Sequence, residues 1–120
     1  MKMPFARFCI DERPGELLQA EVLSSWPQRL KGLLGSQPSV KSVVLTRCAS
    51  IHTIGMSYPL DVAFVGELGE VLEVYRHLEP GEVVGCPGAS CVFERAACGS
   101  PWLSVGEHLW ICSISADGCR

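Results

Sequence analysis

No apolar run in this chain approaches the roughly 18 residues that a membrane-spanning helix needs, so no membrane span is expected. Charge is scarce as well. Only 19% of residues are charged and the net charge is -3, which argues against phosphate-backbone binding and so against nucleic acid as a partner. The first ten residues hold too little apolar sequence for a signal peptide, and no repeat, linker or low-complexity block interrupts the chain. A cytoplasmic location is therefore the expectation. Regular cysteine spacing is also missing: the seven cysteines, at positions 9, 48, 86, 91, 98, 112 and 119, are poor material for a disulfide framework. Cys9 and Cys112 fall in apolar strand-like runs, where a free thiol behaves as a small hydrophobe. In an exported protein, Cys86 with Cys91 or Cys98 with Cys119 would be the pairs to consider.

What is present is enough apolar sequence for one core. The chain has 120 residues, 48% of them apolar, and a single domain over 1–120 of that size buries about two-thirds of its unfolded surface. It needs no metal or disulfide staple, and a monomer is expected.

Phe5–Ile10 and Leu17–Leu23 read as an opening hairpin around the turn at Pro14-Gly15. A short helix follows, capped by Ser25 or Trp26, with Pro27 in its first turn and Gly35 able to end it. Leu30, Leu33 and Leu34 would dock it on a sheet, while Gly32 permits something to approach closely. Ser42–Arg47, Leu60–Val65, Glu70–Arg76 and Cys91–Ala97 are further strands. His108–Ser115 closes the set, and its apolar run suits a central position. Between Glu67 and Glu82 five Glu face one Arg, the pattern of a solvated hairpin side. Six or seven short strands and one short helix predict a mainly β fold, α+β in detail, arranged as a compact antiparallel sandwich or barrel.

The chemistry concentrates between Cys48 and Val65. Asp61 sits inside Leu60–Val65, otherwise a buried strand, and a buried carboxylate needs a partner; His52 and Arg47 are the candidates its neighbourhood offers. Cys48, His52 and Asp61 match the types of a nucleophile, a base and an orienting acid, although such a site is defined by geometry rather than type. The bland alternative is a brace in which His52 and Asp61 bond each other and fix the loop. A zinc set would use Cys48, His52, Cys86 and Cys91, at spacings unlike those of common fingers. Glu94, within Val92–Ala96, is either a second internal acid or a surface residue.

The runs Cys48-Ala-Ser-Ile-His-Thr-Ile-Gly-Met56, Pro59-Leu-Asp-Val-Ala-Phe64 and Gly69-Glu-Val71 resemble the signature of the bacterial and archaeal domain of unknown function 192. Arg29 with Gly32-Leu33-Leu34 resembles that family's Arg-x-x-Gly-Leu segment, Val92-Phe93-Glu94 its Leu-Glu strand, and Val105-Gly106-Glu107 its terminal Gly-Asp turn, with Glu in place of Asp. The resemblance spans residues 20–110. It implies a jelly-roll-like β domain without an established activity, similar in some members to products encoded beside pilus or secretion genes, and it gathers the site around His52, Met56, Asp61 and Glu94. The resulting expectation is a non-enzymatic domain that binds a small molecule or a protein segment in a groove beside the His52–Asp61 loop. Cys48, His52, Met56, Asp61 and Glu94 would line that groove, with no cofactor, no metal and no catalytic residue. The alternative is a hydrolase or transferase using His52 with Asp61 or Glu94, and Cys48 as nucleophile.

Overall fold

The computed structural model describes residues 4–39 and 41–115. Nine strands are β1 (Phe5–Ile10), β2 (Leu17–Leu23), β3 (Ser42–Thr46), β4 (Ser50–His52), β5 (Leu60–Gly66), β6 (Val71–Leu78), β7 (Val83–Gly85), β8 (Ala89–Ala96) and β9 (Leu109–Ser115), with one helix, α1 (Trp26–Lys31), between β2 and β3. The fold is mainly β with one short helix, as expected. Seven strands form one sheet in the order β6-β5-β8-β3-β2-β1-β9, and the three-residue β4 and β7 pair separately. All pairs are antiparallel apart from β2 and β3, which run parallel because the chain crosses over through α1 between them.

The helix begins where the sequence says it should and ends sooner. Ser25 and Gln28 form a reciprocal capping box, with Pro27 in the first turn. Termination falls at Gly32, whose φ is +52°, rather than at Gly35.

The large sheet curls around a core of Ala6, Phe8, Ile10, Ala20, Val44, Ala63, Val65, Phe93, Trp102 and Leu103. Phe8 meets Phe93 edge to face at a centroid distance of 4.9 Å, an arrangement favoured by the ring quadrupoles. The sheet is not a closed barrel, although one corner is stitched. Leu109 donates to the carbonyl of Gly69, and Val71 to that of Glu107, both at 2.8 Å. A Cβ on Gly69 would stand 2.2 Å from the Leu109 carbonyl oxygen, so this corner admits only glycine.

A second core, with Val43, Leu45, Ile51, Met56, Leu60, Val62, Phe64 and Val92, covers the opposite face of β3, β8 and β5. Lying over that face are α1 and the β4–β7 pair, and the space beneath them is where the site forms.

Two sequence expectations change. β9 is an edge strand instead of a central one, and Trp110, Ile111 and Ile114 on it are exposed. Cys9 and Cys112 are not free thiols: they form a disulfide across β1 and β9. Cys112 is the extra residue of a bulge, since Phe8 pairs with Ile111 while Arg7 pairs with Ser113. Cys86 and Cys91 remain free, and Cys119 lies outside the described residues.

Candidate functional site

Strand alternation decides which acids share a face. On β8, Glu94 lies between Val43 of β3 and Val62 of β5, so its side chain enters the second core. Asp61 is paired with Arg95, one residue out of phase, and belongs to the other face. Both acids are buried, at 3% and 1% exposure, but they answer burial in opposite ways.

Asp61 is fully partnered. Oδ1 accepts from Arg76 Nε and the His77 backbone N–H at 3.1 Å each, while Oδ2 accepts from Arg95 Nε at 2.9 Å and more weakly from the Cys98 N–H. Burial pushes its pKa up, but the His77 N–H and the two guanidinium groups outweigh that and leave the carboxyl below its usual range. The expected partners, His52 and Arg47, are not among them. Arg95 also stacks on Trp102 at 4.4 Å, so Asp61 anchors a structural cluster. With Asp61 on the far face, the Cys48-His52-Asp61 triad is not assembled, and neither is the His52–Asp61 brace.

The loop is braced by Thr53, which the sequence reading overlooked. Fully buried, its Oγ1 donates to the Glu79 carbonyl at 2.7 Å and accepts from the Glu82 N–H at 2.8 Å, while its backbone N–H donates to the Glu82 carbonyl. The Thr53 carbonyl accepts from Met56 and Gly81. A β-branched polar residue inside an apolar loop was the available signal. With the β4–β7 ladder pairing His52 with Val83, these bonds hold Ile51, His52 and Met56 over the sheet.

Beneath them lies a pocket of about 280 Å³. Four of the five expected residues line it: Cys48, His52, Met56 and Glu94. Arg29, Lys31 and Gly32 come from the helix segment, and Leu45, Ile51 and Leu60 supply apolar wall. Arg29 is placed by its Nη1, which donates to the Arg47 carbonyl at 2.9 Å and ties the helix to the end of β3. Tyr58, which follows the loop, bonds Ser36 at 2.7 Å and does not line the pocket.

The polar groups of this pocket are short of partners. Glu94 makes no hydrogen bond or ion pair among the described residues, and burial pushes its pKa up to about 7. His52 Nδ1 and Arg29 Nε are buried and likewise lack partners among the described residues. Each such group costs about 1–3 kcal/mol if left unsatisfied, so three around one cavity favour something polar between them. The Cys48 Sγ–H donates to the Ser50 carbonyl at 3.1 Å. No group of three or more Cys, His, Asp or Glu among the described residues could hold a metal ion, so the zinc set does not come together. A wider depression beside Trp102 is lined by Arg13 and Arg76, whose charges are already taken by Glu107 and Asp61.

No helix among the described residues is long and apolar enough to cross a membrane. The chain matches no protein-family model and no curated protein. Two solved structures share its fold. One is a protein of unknown function from Novosphingobium aromaticivorans DSM 12444, 16% identical, with a TM-score of 0.71 over 88% of this chain and 84% of that one. The other, from Sinorhizobium meliloti 1021, carries a provisional assignment as a transcription regulator; it is 19% identical, with a TM-score of 0.71 over 92% of this chain and 94% of that one. At such identities the likeness is one of fold.

Proposed function

We propose that this protein is a binding domain of the domain of unknown function 192 type, whose task is to hold a small molecule in the pocket between α1, β4 and β8. One observation carries the reading: Glu94, Arg29 and His52 reach the same cavity from three separate elements, Arg29 Nε and His52 Nδ1 as buried atoms that no described residue satisfies and Glu94 as a buried carboxyl with no hydrogen bond or ion pair among the described residues. The residues behind the family resemblance support it, because Arg29, Gly32, His52, Met56 and Glu94 all line that cavity. A catalytic role has less behind it, with the Cys48 thiol held on a carbonyl and Asp61 engaged elsewhere. The Cys9–Cys112 disulfide favours an oxidising compartment over the cytoplasm expected from the sequence.

The test is a fragment screen followed by amide chemical shifts of the labelled full chain. Fragments should perturb the amides of Gly32, His52, Met56 and Glu94 together, and Glu94→Gln should weaken the polar hits. A library in which no compound shifts these four amides would sink the reading.

A further inference from the structure

We infer that the pocket takes a free apolar α-amino acid in its zwitterionic form, with the ammonium on Glu94, the carboxylate on Arg29 and the side chain along Leu45, Met56 and Leu60. This rests on the preceding reading of the pocket as a ligand site and goes beyond it by naming the chemical class.

The groups facing the cavity have both signs of charge. Arg29 and Lys31 come from α1, Cys48 and His52 from the loop and β4, and Glu94 from β8. A simple carboxylate would meet Arg29 well but bring a second acid beside Glu94. A simple amine would satisfy Glu94 but add a third cation to Arg29 and Lys31. A zwitterion answers both poles at once, and no described residue already occupies Glu94 or Arg29 Nε. His52 Nδ1, a donor or an acceptor according to tautomer, can serve either pole.

Size and lining narrow the class further. About 280 Å³ is just below the range of roughly 300–1,000 Å³ typical for drug-sized ligands, which suits an amino acid and not a nucleotide. Beyond the polar groups the wall is apolar, and Trp26, Leu30 and Val83 extend it to the rim, where each is more than half exposed. Such a wall rewards an aliphatic, thioether or aromatic side chain over a hydroxylated one.

The experiment is calorimetry and amide chemical-shift titration of the oxidised full chain with L-valine, L-leucine, L-methionine and L-phenylalanine. Leucinamide, which lacks the carboxylate, N-acetyl-L-leucine, which lacks the ammonium, and glucose serve as comparisons. At least one amino acid should bind ten-fold or more tightly than the two blocked forms and glucose. Glu94→Gln should weaken that amino acid ten-fold or more while leaving N-acetyl-L-leucine within about two-fold, and Arg29→Gln should spare leucinamide in the same way. Circular dichroism of both variants checks that they are folded. Equal binding of a blocked form or of glucose overturns the zwitterion, as does the failure of all four amino acids while screening fragments still shift the pocket amides. Silence from amino acids and fragments alike overturns the ligand site itself.

Discussion

Glu94 Oε1 lies 3.1 Å from where a Cβ on Gly32 would stand, so the glycine that ends the helix is also the one that makes room for the buried carboxyl. Both requirements fall on one position, because a φ of +52° is itself strained for any residue with a side chain. Gly32→Ala should therefore cost about 1–3 kcal/mol in urea unfolding, by strain at the cap and displacement of Glu94. Gly35→Ala, where the nearest neighbour is the end of the flexible Lys31 side chain, strains only its own backbone. An equal loss at both positions would show that the Glu94 contact adds nothing.

Glu94 gives the stability curve a falling slope on the acid side of neutrality. Its carboxyl titrates at about 7 in the folded chain and near 4.5 when unfolded, so the unfolded state loses its proton first. Stability should fall as pH rises from about 4.5 to 7 and level off above, by on the order of 3 kcal/mol. Glu94→Gln should abolish that slope and stabilise the ligand-free protein at pH 8. Chemical denaturation at a series of pH values reads both effects, and a flat wild-type curve across this window would refute the assignment.

Asp61 works in the opposite sense. Its pKa is depressed in the fold, so its contribution is present above the unfolded carboxyl value and is lost as pH falls through the folded one. Asp61→Asn, which leaves the half-buried Arg95 without its counter-charge, should cost about 3 kcal/mol at neutral pH and flatten the acid limb of the same curve. Ligand affinity should not change, because Asp61 is on the other face of the sheet. Loss of binding in a folded Asp61→Asn protein would contradict this division.

The thiols should react in an order set by exposure. Cys98 is exposed and should be alkylated first in native protein; Cys86 is buried, and burial pushes the Cys91 thiol up to about 11, so both should lag. Cys9 and Cys112 should label only after reduction. Cys112→Ser should lower stability by about 2–4 kcal/mol, since the bond closes a loop of 103 residues. Peptide mapping after alkylation with and without reductant measures the order, and rapid native labelling of Cys9 would refute the pairing.

Much of the site could be read from the sequence, because its residues are unusual where they stand. Cys48, His52 and Met56 fall within one short segment, and Glu94 interrupts an apolar strand. Asp61 interrupts a strand just as plainly. What separated it was parity: Leu60, Val62 and Phe64 take the pocket face, so residue 61 takes the other, and its partners Arg76 and Arg95 come from neighbouring strands. Pairing across 15 and 34 residues leaves no local trace. The same limit explains β9, whose apolar run resembles a central strand although it has a neighbour on one side only. Helix termination was misread because two nearby glycines qualify, and the one nearer Glu94 is used.

The pairing of β1 with β9 also sets an order of events during synthesis. The earliest of the described strands completes its ladder only with the latest of them, and until then the outer edge of β1 stands open. A nascent chain would thus carry an unsatisfied strand edge from the synthesis of β1 until that of β9, a period in which neighbouring chains compete for the same hydrogen bonds. Once β9 docks, Cys112 can reach Cys9, so oxidation would act as a latch on a finished sheet and not as a guide to its assembly.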